Sequence, residues 1–420
     1  MSKKAGGPLL ALLSAEIISV SGSLVTRVAL PWFVLATTGS VARMSFVLAV
    51  QMLSMALWGI PGGVLATRLG TRTFMRMADC SRAVLIGLVP LLDRQGLLTF
   101  PMLLVLVFLI GGFFTPYYAS QRVLLPELVG DDEGLLARTN TLLVGANRIT
   151  LLLGAPIGGV LVSAFGARAV LWIDATSFFV SFLLISLFVH TGKVAPATVD
   201  QSKLLAGVRF LWQDRIQRLW TFANIGFEMS WQCIFAAIPI LAFLRYDDDP
   251  RVVGALLAVF GVGAVAGNIT AIPLLRAMKP INLMITGAVA ESATLWGAVV
   301  DLHVVTFGAV LCLGGFFMGF IEGPTTALQT RRTPSALRPQ SMSAFMTLTL
   351  VAGSLALTFT GPAFESYDPR VPFTAVALLY SVGTALLVLS ARRLAAEPAS
   401  PAALRATDPK TADSDARDPA

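Results

Sequence analysis

Seven ionisable residues stand inside stretches that are otherwise apolar. Glu16, Arg27, Arg148 and Asp174 lie in the first half of the chain, and Glu228, Glu291 and Glu322 in the second. Ionisable groups in a low-dielectric setting are costly, so each is a candidate for function. In the first half two acids face two bases, and structural ion pairing accounts for them as well as function does. Glu16 and Arg27 are eleven residues apart, about 20° from the same helix face. Ser19 and Ser23 share that stripe. Arg27 and Asp174 fall toward the same end of their segments, so pairing between them is expected. The second half has no Lys or Arg within the segments that hold its three glutamates. An acid without a nearby cation favours its neutral form, and it can take up and release a proton or meet a cationic ligand. Trp231 lies one turn from Glu228, a ring contact suited to a lipophilic cation. The plainer reading is a neutral glutamic acid hydrogen-bonded to Asn224, Gln232 or backbone.

Other chemistries lack the residues. Cys80, Cys233 and Cys312 sit in apolar runs without metal spacing, and there are two histidines, His190 and His303. No metal site and no Ser/His/Asp triad is expected. Gly261, Gly263 and Gly267 have neither a preceding strand nor a following Gly-Lys-Ser/Thr, so they read as helix packing rather than a phosphate loop. No cofactor and no nucleic acid is expected.

These residues must be positioned by membrane spans. Of 420 residues, 55% are hydrophobic and 13% charged, against about 25% charged in ordinary soluble domains. That excludes a disordered chain, a disulfide scaffold and most soluble enzymes. A span needs about 20 apolar residues. Twelve candidates qualify: 8–35, 44–66, 77–92, 98–120, 140–163, 170–189, 219–243, 252–275, 281–300, 305–329, 341–361 and 373–391. The third is short as drawn and is expected to start before Met77. Lys and Arg concentrate in alternate loops and in the tail, which by the positive-inside rule puts both termini in the cytoplasm. The net charge of +7 follows from the same bias.

Residues 1–190 are expected to form one six-helix bundle and 219–391 another. A linker, 191–218, joins them, and a disordered cytoplasmic tail, 392–420, follows. Within the linker, Leu204, Leu205, Val208 and Leu211 share a helical face. They predict an amphipathic helix over Ser202–Trp212, lying on the inner membrane surface or serving as an ordinary inter-domain helix. An internal repeat supports the division, since Gly111-Gly-Phe-Phe114 recurs as Gly314-Gly-Phe-Phe317. Paired six-span halves are a common build for secondary transporters.

The loop after the second span reads Gly63-Val-Leu-Ala-Thr67-Arg68-Leu-Gly70-Thr-Arg72. It resembles motif A of the major facilitator superfamily, with Thr67 in place of the motif's Asp. In that family the Asp helps a charge relay latch the halves on the cytoplasmic side; here Asp79 and Arg82 are candidate substitutes. The fifth span carries Gly154-Ala-Pro156-Ile-Gly158-Gly159, similar to motif C of the superfamily's antiporters, with the Pro displaced by one residue. Close helix packing around small residues accounts for it equally. Thr26-Arg27-Val-Ala-Leu-Pro31, Leu125-Pro-Glu-Leu-Val129, Ile173-Asp174-Ala-Thr-Ser-Phe178 and Leu257-Ala-Val-Phe-Gly261-Val-Gly263 resemble the branch of macrolide-efflux and enterobactin-exporting drug:proton antiporters.

The resemblance covers roughly residues 8–391. It implies an all-α polytopic membrane protein of twelve transmembrane helices in two pseudo-symmetric bundles, the major facilitator fold. It further implies a transporter rather than an enzyme, in the bacterial cytoplasmic membrane, acting as a monomer. The expected function is proton-coupled efflux of a lipophilic small molecule or drug. A dedicated siderophore or natural-product exporter is the first alternative; a membrane scaffold, receptor or lipid flippase is the second. Family architecture places the first, seventh and tenth spans on the central cavity. Glu16, Arg27, Glu228, Glu322 and Trp231 are therefore the expected proton-coupling or substrate-binding residues, with Arg148 and Asp174 as ion-pair members. Gly63, Arg68, Gly70, Arg72 and Asp79 form the expected gate, and Gly154, Pro156, Gly158 and Gly159 the packing element. The ninth span is peripheral in that architecture, which sets Glu291 aside.

Overall fold

A computed structural model describes residues 3–129, 153–189, 202–300, 302–334 and 337–396. The described residues fold into helices joined by short connections. The first half holds α1 (Lys3–Thr38), α2 (Val41–Leu69), α3 (Thr71–Arg94), α4 (Phe100–Gly112), α5 (Phe114–Val129), α6 (Leu153–Phe165) and α7 (Ala167–Phe188). The short helix α8 (Ser202–Gln213) follows. The second half holds α9 (Arg215–Arg245), α10 (Pro250–Ala277), α11 (Pro280–Leu295), α12 (Gly297–Val300), α13 (Val304–Arg332), α14 (Arg338–Ser366) and α15 (Arg370–Ala396). Among the described residues, ten segments are long and apolar enough to cross a membrane; α4 with α5 forms one, and α11 with α12 another.

Local chemistry sets the ends. Ser40, Thr99 and Asp249 cap α2, α4 and α10 by accepting from the amides of Arg43, Met102 and Arg251, filling donors that a first helical turn leaves open. Gly70 and Gly166 both adopt φ near +80° at the turns α2–α3 and α6–α7, a backbone region that favours glycine. Helix α3 begins at Thr71, six residues before the apolar run that sequence alone marks.

Packing fixes the direction of each helix. Gly154 and Gly158 of α6 meet Leu24 and then Val25 and Val28 of α1, so α6 runs parallel to α1. In α14, Gly353 meets Met52 of α2 and Gly361 meets Ala42, so that pair is antiparallel. The start of α1 and the end of α15 therefore lie on one face of the bundle, the terminal face, and α8 lies there as well. The glycine repeat is structural too. Gly111 rests on the α2 backbone at Gln51 and Gly315 on the α10 backbone at Phe260, while Gly112 and Gly314 meet the rings of Trp58 and Trp231. Both doublets thus bring a helix against the second helix of its own half.

α8 packs on α14 and α9. A Cβ at Gly207 would lie 2.4 Å from the carbonyl oxygen of Gln340, and Leu211 is fully buried. Asp214 then starts α9 by accepting from the amides of Ile216 and Gln217, and it pairs with Arg332 at the end of α13 at 2.9 Å.

The halves meet along α2–α14, along α6–α10, and where Trp32 of α1 packs edge-on against Phe243 of α9. Residues 28–35 and 236–242 are buried without interruption, so the closure lies toward the face opposite the termini. Among the described residues, the main packing partners of α5 and α13 lie within their own halves.

Candidate functional site

The seam between the halves decides what the charged groups can reach. A Cβ at Gly159 would stand 2.7 Å from the Pro250 carbonyl oxygen, and one at Gly254 would stand 2.6 Å from that of Ala155. Backbone meets backbone there, as small residues permit in membranes. Gly158 rests on α1 and Gly159 on α10, so the packing element read from sequence joins both halves. Gly361 repeats the device on α14, where a Cβ would stand 2.6 Å from Ala42 Cα and from the Val41 carbonyl oxygen. Gly159→Leu is expected to wedge this seam apart. A cysteine at Val34, buried here, then reacts several-fold faster with an impermeant maleimide; an unchanged labelling rate would disprove the assignment.

In the first half, α1, α3, α5 and α7 enclose a polar cluster. Glu16 is buried, and among the described residues neither carboxylate oxygen has a hydrogen-bond partner. Gln121 of α5 stands beside it with its own Nε2 unpartnered. Asp79 of α3 is fully buried; its Oδ2 accepts from Ser181 Oγ at 2.7 Å and from Tyr117 Oη at 3.4 Å, while Oδ1 has no partner among the described residues. One turn on, the buried Arg82 guanidinium lies 5.2 Å from the Tyr117 ring centroid and 5.3 Å from that of Phe178, within reach of a cation–π attraction. Its charge also acts on Asp79, Glu16 and Asp174.

Asp174 is not paired with Arg27. It accepts from Thr26 Oγ1 at 2.6 Å and from Ser177 Oγ at 3.3 Å, and Gly22 leaves the space that its carboxylate occupies. The reason is angular, since adjacent residues on a helix diverge by about 100°. Thr26 faces α7, and Arg27 turns away from it. Arg27 is exposed and stands near Tyr118 of α5. Arg148 lies outside the described residues.

The gate residues divide. Arg68 is exposed, Gly63 is half-buried with open space around it, and Gly70 makes the turn. Arg72 donates to the Ser186 carbonyl at 2.9 Å and Arg76 to Ser186 Oγ at 2.7 Å, tying α3 to the end of α7. Asp79 belongs to the interior cluster described above.

In the second half, Gln232 Nε2 donates to Glu228 Oε1 at 2.8 Å, within one turn of α9. Glu322 of α13 is exposed. Trp231 is not an open aromatic wall beside Glu228. It is buried, tilted against Phe235 and Phe260, and its Nε1 donates to Glu291 Oε1 at 2.7 Å. The glutamate set aside as peripheral is thus the fully buried one, and Glu322 lies within its electrostatic reach. Sixty residues separate Trp231 from Glu291, and no local pattern reveals the pair. A recess of about 580 Å³, lined in part by Arg245, Asp249, His303 and Arg370, opens at helix ends on the opposite face. Arg27, Glu228 and Glu322 lie farther along their helices.

The family described as transmembrane secretion effector matches residues 9–408. The chain is 26% identical to the multidrug efflux pump Tap of Mycolicibacterium fortuitum over 394 residues, covering 90% of this chain and 94% of that protein. It is likewise 26% identical to the enterobactin exporter EntS of Citrobacter koseri over 339 residues, 78% of each chain. Among solved structures, a point variant of the nucleoside transporter NupG superposes with a TM-score of 0.72 at 13% identity, covering 92% of this chain and 99% of that one.

Proposed function

The chain belongs to the transmembrane secretion effector family of major facilitator transporters, and on that premise we propose that it exports a lipophilic small molecule in exchange for protons. The observation that carries this reading is an interface closed toward the face opposite the termini, with ionisable groups from both halves in helices of the two bundles. Arg27 and Tyr118 come from the first half, and Glu228 and Glu322 from the second. In this reading the terminal face is cytoplasmic, the membrane is the bacterial inner membrane, and the protein works as a monomer of two six-helix halves. The halves rock around the interface to expose it alternately. A proton taken up by Glu228 or Glu322 changes the charge next to the substrate, and it shifts the equilibrium only by its differential affinity for the two states. The likeness to a multidrug efflux pump supports a drug-like substrate. A siderophore or natural product is the second reading, supported by the enterobactin exporter.

Energised everted vesicles test the proposal. A pH-sensitive dye is followed while macrolides, lipophilic cations and a catechol siderophore are added in turn. Dequenching by at least one compound is expected, with Glu322→Gln or Glu228→Gln abolishing it. Silence across a panel that a control exporter answers rejects broad drug/proton exchange. Dequenching by the siderophore alone selects the second reading.

A further inference from the structure

The first turn of α2 is completed by a side chain from the other half of the molecule. Glu365 of α14 accepts from Ser40 Oγ at 2.9 Å and from the Ala42 amide at 2.8 Å through the same oxygen. Ser40 Oγ accepts from the Arg43 amide. Two of the donors that open α2 are therefore filled, one from within its own half and one from across the interface. The carboxylate also sits at the positive end of the α2 dipole. Its own helix gives it no such welcome, because Glu365 lies in the last turn of α14, where a negative charge meets the negative end of the dipole. The residue is thus placed unfavourably for α14 and favourably for α2. One turn earlier on the same face, Gly361 brings the two backbones together.

We propose that Glu365 is a positioning residue for transport: a helix cap supplied in trans, which latches the face opposite the termini and sets the balance between the two access states. The proposal rests on the alternating-access reading above. When the halves separate on that face, α2 loses the cap and its first-turn amide turns to water. Glu365 is exposed, so replacing it leaves the buried packing intact. Loss of a helix cap changes an equilibrium by about fivefold, and that is the expected change in state populations.

Spin-label distances read those populations in nanodiscs, on a chain with Cys80, Cys233 and Cys312 replaced by Ala. One label pair, Gln95→Cys with Val300→Cys, reports the opposite face; another, Leu69→Cys with Lys279→Cys, reports the terminal face. With Glu365→Ala, the long-distance population at the opposite face grows about fivefold and the terminal-face pair closes in step. Glu365→Gln keeps an acceptor oxygen and falls between. Two populations in the wild type that Glu365→Ala leaves unchanged overturn the latch alone. A wild type with one population at both faces, in acid and in alkaline buffer, overturns alternating access and the latch with it.

Discussion

Gly267→Leu leaves no monodisperse protein to extract from the membrane. A Cβ at Gly267 would lie 1.9 Å from the Phe316 carbonyl oxygen, and one at Gly263 would lie 2.0 Å from that of Cys312. The facing helix answers in kind, since a Cβ at Gly315 would lie 2.5 Å from the Phe260 carbonyl oxygen and one at Gly319 would lie 2.6 Å from the Asn268 amide nitrogen. Each distance runs to backbone, so no side chain can swing aside. Overpacking a core costs about 1–3 kcal/mol when side chains can shift, and a backbone obstacle puts this change at or beyond the upper end. Lipid offers no hydrophobic force to press the parted helices together again. Gly267→Ala is expected to fold with a lower thermal midpoint. Gly323→Leu, on α13 with open space around it, behaves as the wild type. Fluorescence-detected size exclusion separates the three, and a monodisperse peak of wild-type height for Gly267→Leu would remove the glycine seam from the account.

The second large effect belongs to Arg82. Among the described residues, Glu16, Asp79 and Asp174 are buried around it, and its charge acts on all three. Arg82→Met keeps much of the side-chain volume and removes the charge. Stranding buried acids in this way is expected to cost ~3 kcal/mol, the scale found when one partner of a buried ion pair is removed. Asp79→Asn/Arg82→Met removes the acid that acts most strongly on Arg82 together with the base and is expected to regain at least half of the lost thermal midpoint in detergent. Additive losses in the double variant would mean that the two side chains are independent.

What the sequence makes legible here follows from range. Hydrophobic runs mark the spans because each run is local. The α8 helix over Ser202–Gln213 was legible for the same reason. The early start of α3 was not, because Arg72 and Arg76 break the apolar run; only the fold shows that they are held by Ser186 of α7. Gly263 and Gly267 announce close packing, yet nothing local says that Gly315 and Gly319 face them. The polar contacts were the least legible. Arg27 and Asp174 suggest a pair by sign and depth, and the helix turn hands Asp174 to Thr26 instead. Trp231 was read with Glu228 one turn away but belongs to Glu291, and Glu365 carries no signal until α2 is set beside α14.

The seams at Gly159 and Gly361 have an electrical consequence. A joint made of bare backbone in van der Waals contact leaves no room for a file of water molecules, and without such a file no ion is conducted through it. On the proposed reading of proton exchange, those glycines are insulation as much as hinge. A side chain large enough to hold the seam ajar, or polar enough to draw water into it, turns the carrier into a leak that discharges the membrane with no cargo aboard.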